Sequence, residues 1–201
     1  MSYRVRFHLG LAADRLRSLV GVPLECGGRG SGEEHGARES PPGALRFLVG
    51  GREALLCYGR PAARGRTVFG GLVPWGDLWR LGANEPTVLH LPFSARVAGV
   101  RVRRGKVALY AVPAPTGWTL VLNRSTRQWG LTRPERGADG VVYQSAYTGP
   151  VRGAELGRVP VETRSTGHVE RLTASAERES DRRSVLLLEW ETTQLRIPIE
   201  V

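Results

Sequence analysis

Gln194-Leu195-Arg196-Ile197-Pro198-Ile199-Glu200-Val201 is the stretch that decides the fold. Leu195, Ile197, Ile199 and Val201 fall on one side of an extended chain, with Gln194, Arg196, Pro198 and Glu200 on the other. A period of two is the mark of a half-buried strand. Pro198 has no N–H to give to a ladder, which predicts an edge position or a non-bonded side. Just upstream, Leu186, Leu188 and Trp190 share a face of Val185–Trp190. Glu191-Thr192-Thr193 then predicts a tight reversal, making the two runs a hairpin.

The same texture extends toward the N-terminus. Val107, Leu109 and Ala111 alternate with their neighbours, as do Trp118, Leu120 and Leu122. Pro113-Ala114-Pro115-Thr116-Gly117 between them holds the residues that turns require. Further strands are predicted at 45–49, 53–59, 86–92, 96–103, 158–164 and 168–176. The expectation is an all-β, antiparallel sandwich of about ten strands with one long glycine-rich loop. At most one short helical turn, over 76–83, interrupts it.

Ahead of these strands, Leu9, Ala12, Leu16 and Leu19 recur at helix spacing, but Asp14, Arg15 and Arg17 break the pattern. Residues 27–43 are rich in glycine and hold only Ala37 as an apolar side chain, which reads as a flexible linker. Residues 1–43 are therefore expected to be a disordered lead-in and 44–201 the folded domain. No export signal is evident, because Ser18–Leu24 is short and no small-residue cleavage site follows it. No apolar run reaches the roughly 18 residues of a membrane-spanning helix. Cys26 and Cys57 do not form a disulfide framework by count or spacing, and Cys57 lies in the apolar run Ala54–Tyr58. Cys57 is read as a buried free thiol.

The net charge of +10 is confined to one segment. Residues 54–134 carry 12 basic side chains and two acids, Asp77 and Glu85, so 12 − 2 = +10; the remainder carries 17 of each sign. A field of this kind attracts anions without fixing a fold. Lys106 is the one lysine among 29 basic residues, a GC-rich coding habit that accounts for many of the arginines.

The stretch from Tyr58 to Thr87 concentrates glycine, tryptophan and arginine. Dense glycine permits positive φ or close backbone approach, and a long loop inside a small β domain is usually functional. Glu85 stands among arginines, with Arg60, Arg66 or Arg80 as its expected partners. A carboxylate held by guanidinium groups stays ionised, which suits a clamp or an anion gate better than acid–base chemistry. Trp79 and Arg80, with Trp75 nearby and Asn84 at the loop's end, can line a cleft for a flat ligand. The equally direct reading makes Trp79 core. Trp129, in Gln128-Trp129-Gly130, is expected to cap one end of the sandwich. The ligand-binding candidates are thus Arg60, Arg66, Trp79, Arg80, Asn84, Glu85 and Trp129.

The string Gly59-Arg60-Pro61, Arg64-Gly65-Arg66, Val68–Pro74, Trp79-Arg80 and Gly82-Ala83-Asn84-Glu85 resembles the bacterial family known as "domain of unknown function 2911". The resemblance continues through Gly105–Tyr110, Trp118-Thr119-Leu120, Gln128-Trp129-Gly130 and Leu188-Glu189-Trp190, and covers about residues 40–201. It implies a β-sandwich, and many family members look exported. It implies no established activity. The first 40 residues depart from the family pattern, and 131–157 is longer than the family norm.

Metal and cofactor motifs are lacking. His8, His35, His90 and His168 are scattered, and only Glu170, on the same strand face as His168, approaches ligand spacing. No nucleophile elbow, phosphate loop or dinucleotide fingerprint occurs. Asn123-Arg124-Ser125 is formally a glycosylation sequon and carries little weight. The expected function is a non-catalytic binding module for a small or anionic ligand, with no cofactor or metal. The alternatives are a structural domain whose Arg–Glu network only pins the loop, and a hydrolase of carbohydrate or ester using Asp77 and Glu85. Arg101 and Arg103 form a basic stripe on 96–103 without aromatic partners, which predicts weak, salt-sensitive contact and no specific nucleic acid.

Overall fold

The computed structural model describes residues 24–26, 39–126, 135–143, 147 and 149–201 of the chain. The helical pattern of 1–23, most of the proposed linker and Trp129 lie outside those residues. The strands are β1 (Pro42–Val49), β2 (Arg52–Gly59), β3 (Thr87–Leu91), β4 (Ala95–Val97), β5 (Val100–Val102), β6 (Gly105–Val112) and β7 (Trp118–Asn123). A small ribbon of β8 (Glu135–Arg136) and β9 (Val142–Tyr143) and a one-turn helix, α1 (Gly149–Arg152), precede β10 (Glu155–Arg178) and β11 (Arg183–Glu200). The nine strands other than β8 and β9 form one antiparallel sheet in the order β1-β2-β3-β6-β7-β10-β11-β4-β5. The expected all-β, antiparallel architecture is what the chain adopts.

The sheet bends back on itself. Ser184 at the start of β11 donates to the Leu48 carbonyl of β1 at 2.7 Å, and Leu172 N–H on β10 bonds Pro61 O at 2.9 Å. The alternating apolar sets of all nine main strands therefore meet in a single core, from Phe47 and Val49 to Ile197 and Ile199. Four aromatic rings sit at its centre: Trp79 stacks on Trp190 with centroids 5.8 Å apart, and Phe69 meets Trp118 edge-on at 4.6 Å. Such pairs add roughly 0.5–1.5 kcal/mol each beyond their buried area. The indole N–H of Trp190 finds no hydrogen-bond acceptor among the described residues.

One expected turn is elsewhere. Val185–Trp190 and Gln194–Val201 are not a hairpin but parts of one strand, β11, which pairs along β10. Glu191-Thr192-Thr193 lacks glycine, asparagine and proline, and its threonines favour extended backbone. The true reversal is Glu179-Ser180-Asp181-Arg182, where the N–H groups of Glu179 and Ser180 both bond Arg183 O at 3.0 Å. The stretches 158–164 and 168–176 likewise belong to one strand. Register slips between Ser165 and Val169 and between Val169 and Thr173, where β10 advances four residues against two on β11 each time, bend it. Glu191 marks this bend with φ 53°. Conversely, 96–103 divides into β4 and β5 at Ala98 (φ 46°) and Gly99 (φ 83°), a two-residue turn with both residues left-handed. The stretch 76–83 is not helical; Asp77 and Trp79 bridge to Val142 and Ala111 instead.

Cys57 is not a free thiol. It is joined to Cys26 across a sequence separation of 31, with Cα atoms 5.5 Å apart. Leu56 and Tyr58 point into the core, so Cys57 takes the outer face of β2, where it meets the lead-in. Arg46 adds a hydrogen bond to Leu24 O beside it. A buried-run reading cannot distinguish the two faces of a strand when both carry apolar residues.

Candidate functional site

The 58–87 loop leaves β2 at Gly59 and returns to β3 at Thr87, and its backbone is packed directly on the sheet. A Cβ on Gly59 would lie 2.0 Å from the Ala83 carbonyl oxygen, so only glycine permits this approach. Asn84 takes φ 65° and donates its side-chain amide to Ser40 O at 3.1 Å. Thr87 Oγ1 donates to Leu81 O at 2.8 Å, closing the base.

The arginines of this loop serve its carbonyls. Arg60 donates through Nε to Leu172 O at 3.2 Å, and Arg66 bonds Ala63 O at 2.9 Å and Ala62 O at 3.0 Å. Arg80 is 7% exposed and donates to Asn84 O. Burial lowers the Arg80 pKa, while Tyr110 and the Glu85 carboxylate oppose that shift. Glu85, expected among arginines, is thus one of the groups that steady the Arg80 charge. Trp79 is buried and its Nε1 donates to Gly82 O at 3.1 Å, which makes it core and part of the loop's anchor.

Three anchors were not legible as loop residues. Glu170 of β10 accepts the Arg64 N–H at 2.8 Å, Arg171 donates to Arg60 O at 3.0 Å, and Glu191 accepts the Val68 N–H at 3.2 Å. The bulge at Glu191 thus aims a carboxylate at the loop. Glu170, 3.3 Å from His168 Nε2, works in the same way. With these anchors in place, the tip is held by Leu72 N–H to Thr67 O at 3.0 Å and Val73 N–H to Val68 O at 2.8 Å. Leu72 and Trp75 are left exposed on it, each at 43%.

A second polar cluster covers the opposite face of β6, β7 and β10. Tyr147 donates to Glu155 Oε1 at 2.7 Å and accepts from Asn123 at 2.9 Å. Arg158 grips Glu155 with Nε and NH2, both at 2.9 Å, and reaches Asp139 at 3.3 Å. Tyr143 stacks on Tyr147 at 5.4 Å, and Arg152 lies 3.6 Å over the Tyr143 ring. Burial raises the Tyr147 phenol, helped by its bond to Glu155. Burial also works to raise Glu155, but the bonds from Arg158 and Tyr147 outweigh it and hold the carboxylate low. Tyr110, raised by burial, joins this cluster to Arg80. Phenols kept protonated and carboxylates kept ionised make a clamp for the 135–152 excursion, not an acid–base pair near neutrality. Asn123, fully buried and bonded to Tyr147 and Val151 O, is closed to glycosylation in the folded chain. The sequence signal was Val107–Val112, apolar at every position, which requires cover on both faces. Burial raises the Asp77 pKa, with the Arg136 charge opposing that shift.

His90 adds a pH response. It is 5% exposed, lies opposite Leu55 and Lys106 in register, and has Cys57 Sγ 3.7 Å from its Nε2. Burial, then Lys106, lowers its pKa to about 4. The unfolded imidazole titrates near 6.5, so between about 4 and 6.5 the unfolded chain binds the proton more readily. The stability contributed by neutral His90 is therefore complete above about pH 6.5 and declines toward pH 4, by at most ~1.4 kcal/mol per pH unit. His90→Gln should flatten the melting-temperature profile between about pH 4.5 and 6.5. A profile as steep as that of wild type would remove His90 from this role.

A bent antiparallel sheet that pins a glycine-rich loop from below and leaves its tip apolar and exposed defines an all-β domain with a candidate binding surface. The family is equally definite. The chain belongs to the family described as Protein of unknown function (DUF2911), whose model matches residues 40–199. Neither a curated protein nor a solved structure matches it.

Proposed function

We propose that this protein is a non-catalytic binding module whose contact surface is the tip of the 58–87 loop. The observation that carries this is the exposure of Leu72 and Trp75 on a backbone fixed by its own hydrogen bonds. Holding a tryptophan in water on a rigid support favours a ligand that covers it, since a preorganised platform lowers the ordering cost of association. Arg66, exposed and anchored to two carbonyls, offers its remaining donors to an anionic group. The ligand class is a small molecule with an apolar or sugar-like face and a negative charge. Among the earlier candidates, Arg60, Trp79, Arg80, Asn84 and Glu85 support the platform from beneath.

One observation favours a purely structural reading: Arg60, Arg66 and Arg80 all donate to loop or strand carbonyls. Titrating the protein with glucuronate, galacturonate and glucose while following tryptophan emission separates the two. A binding module gives an emission change with the uronates that Trp75→Ala weakens at least about tenfold. No response to any of the three sugars, or an undiminished response in Trp75→Ala, would leave the loop as a clamp only.

A further inference from the structure

The excess positive charge resides on another part of the molecule. Arg96, Arg101, Arg103, Arg104 and Lys106 are all exposed, on the β4–β5 hairpin and the segment leading into β6. None of them makes an ion pair with any described residue. Several arginines elsewhere are matched: Arg46 with Glu53, Arg158 with Glu155, Arg183 with Glu179, and Arg196 with Glu162 and Glu177. The chain has no Asp or Glu between Glu85 and Glu135, so the hairpin has none of its own. Glu200 lies opposite Arg96 in register and forms no ion pair among the described residues. GC-rich coding explains arginine in place of lysine but not the missing acids.

The hairpin is rigid as well as charged. Arg96 and Arg101 are direct cross-strand partners, an arrangement of like charges that destabilises a ribbon unless something else holds it. Buried Val97 and Val102 hold it from beneath, Ala98 N–H bonds Pro198 O at 2.7 Å, and Arg104 N–H bonds Ser94 Oγ at 3.3 Å. At the turn, Ala98, Gly99 and Val100 are small and uncharged.

We infer that the β4–β5 hairpin is a docking surface for a membrane rich in anionic phospholipid. The guanidinium groups match phosphate in charge and geometry, and the small turn can enter the headgroup layer between them. Residues 94–106 contain no aromatic side chain on which bases could stack, which disfavours single-stranded nucleic acid. The Cys26–Cys57 disulfide points the same way, since such bonds persist in oxidising compartments, where membrane surface is at hand and nucleic acid is scarce.

Vesicle co-flotation of the full chain tests this. Wild type should float with phosphatidylcholine vesicles containing about 30 mol % phosphatidylglycerol and detach as salt is raised. Each arginine removed should weaken binding about fivefold, so R96Q/R101Q/R103Q/R104Q should lose at least about a hundredfold. The equally charged control R164Q/R178Q/R182Q/R183Q should stay within about threefold of wild type. The milder R101Q/R103Q serves if the quadruple variant melts early. Equal loss in hairpin and control variants, no flotation of wild type, or tighter binding to a DNA duplex at the same salt would overturn the inference.

Discussion

Gly59→Ala should lower the melting temperature by about 6–12 °C, corresponding to about 3 kcal/mol or more for a chain of this size. The new methyl would stand 2.0 Å from the Ala83 carbonyl oxygen and 2.9 Å from its carbon, both backbone atoms that cannot rotate aside. Gly82 lies on the same seam, where a Cβ would be 3.0 Å from Gly59 O. Relief would require lifting 82–84 away from β2, and with it the Arg80 and Asn84 bonds that close the loop. Gly65→Ala is the matched control. Gly65 has φ 69° but nothing within 4 Å of an added Cβ, so its cost is the left-handed penalty alone, about 1–2 kcal/mol. If both variants melted together, the close approach of loop and sheet would be wrong.

Trp79→Ala should cost about 3–5 kcal/mol, the usual penalty for deleting a buried large aromatic. Its ring touches Trp190, Phe69 and Trp118, so one truncation opens the centre of the core. It also leaves the Gly82 carbonyl without its 3.1 Å donor. Chemical denaturation of Trp79→Ala beside Trp79→Phe separates these contributions. The phenylalanine keeps most of the packing and should lose only about 1–2 kcal/mol. A Trp79→Ala protein as stable as wild type would mean that Trp79 serves a ligand and not the core.

Alternation was enough to place the ends of β11, which bury one face; in β6 and β7 it caught one apolar set, although both faces are covered. It could not say that Glu191 lies within a strand, since a bulge and a turn both interrupt the period. Residue type was the better guide there: two threonines favour the extended chain, and Ser180-Asp181 the reversal. Ala98-Gly99 carried the opposite signal, a left-handed glycine at a hairpin tip, which the charge of 96–103 obscured. The disulfide depends on which way Cys57 faces, a matter of parity against Ala54, Leu56 and Tyr58 that the continuous apolar run conceals.

At the site, the glycines were legible as points of close approach, and Gly59 is one. The partners of the arginines were not. Reasoning from charge matched Arg60 and Arg66 to Glu85, but an irregular loop leaves many carbonyls without ladder partners. Those carbonyls take the guanidinium donors first. Glu170 and Glu191 answer the same need for stranded N–H groups, from strands more than a hundred residues away in sequence. Trp75 and Trp79 differ only in surroundings: the backbone of Trp79 bridges to Ala111 and turns its ring inward, while Trp75 stays outside.

Melting Trp75→Ala and Trp79→Ala side by side tests that difference most directly. Trp75→Ala should melt within about two degrees of wild type, as exposed substitutions do, while Trp79→Ala falls by about ten degrees or more. A large loss in Trp75→Ala together with a wild-type melt for Trp79→Ala would exchange their places, and the loop would no longer be a platform pinned from beneath with its binding face outward.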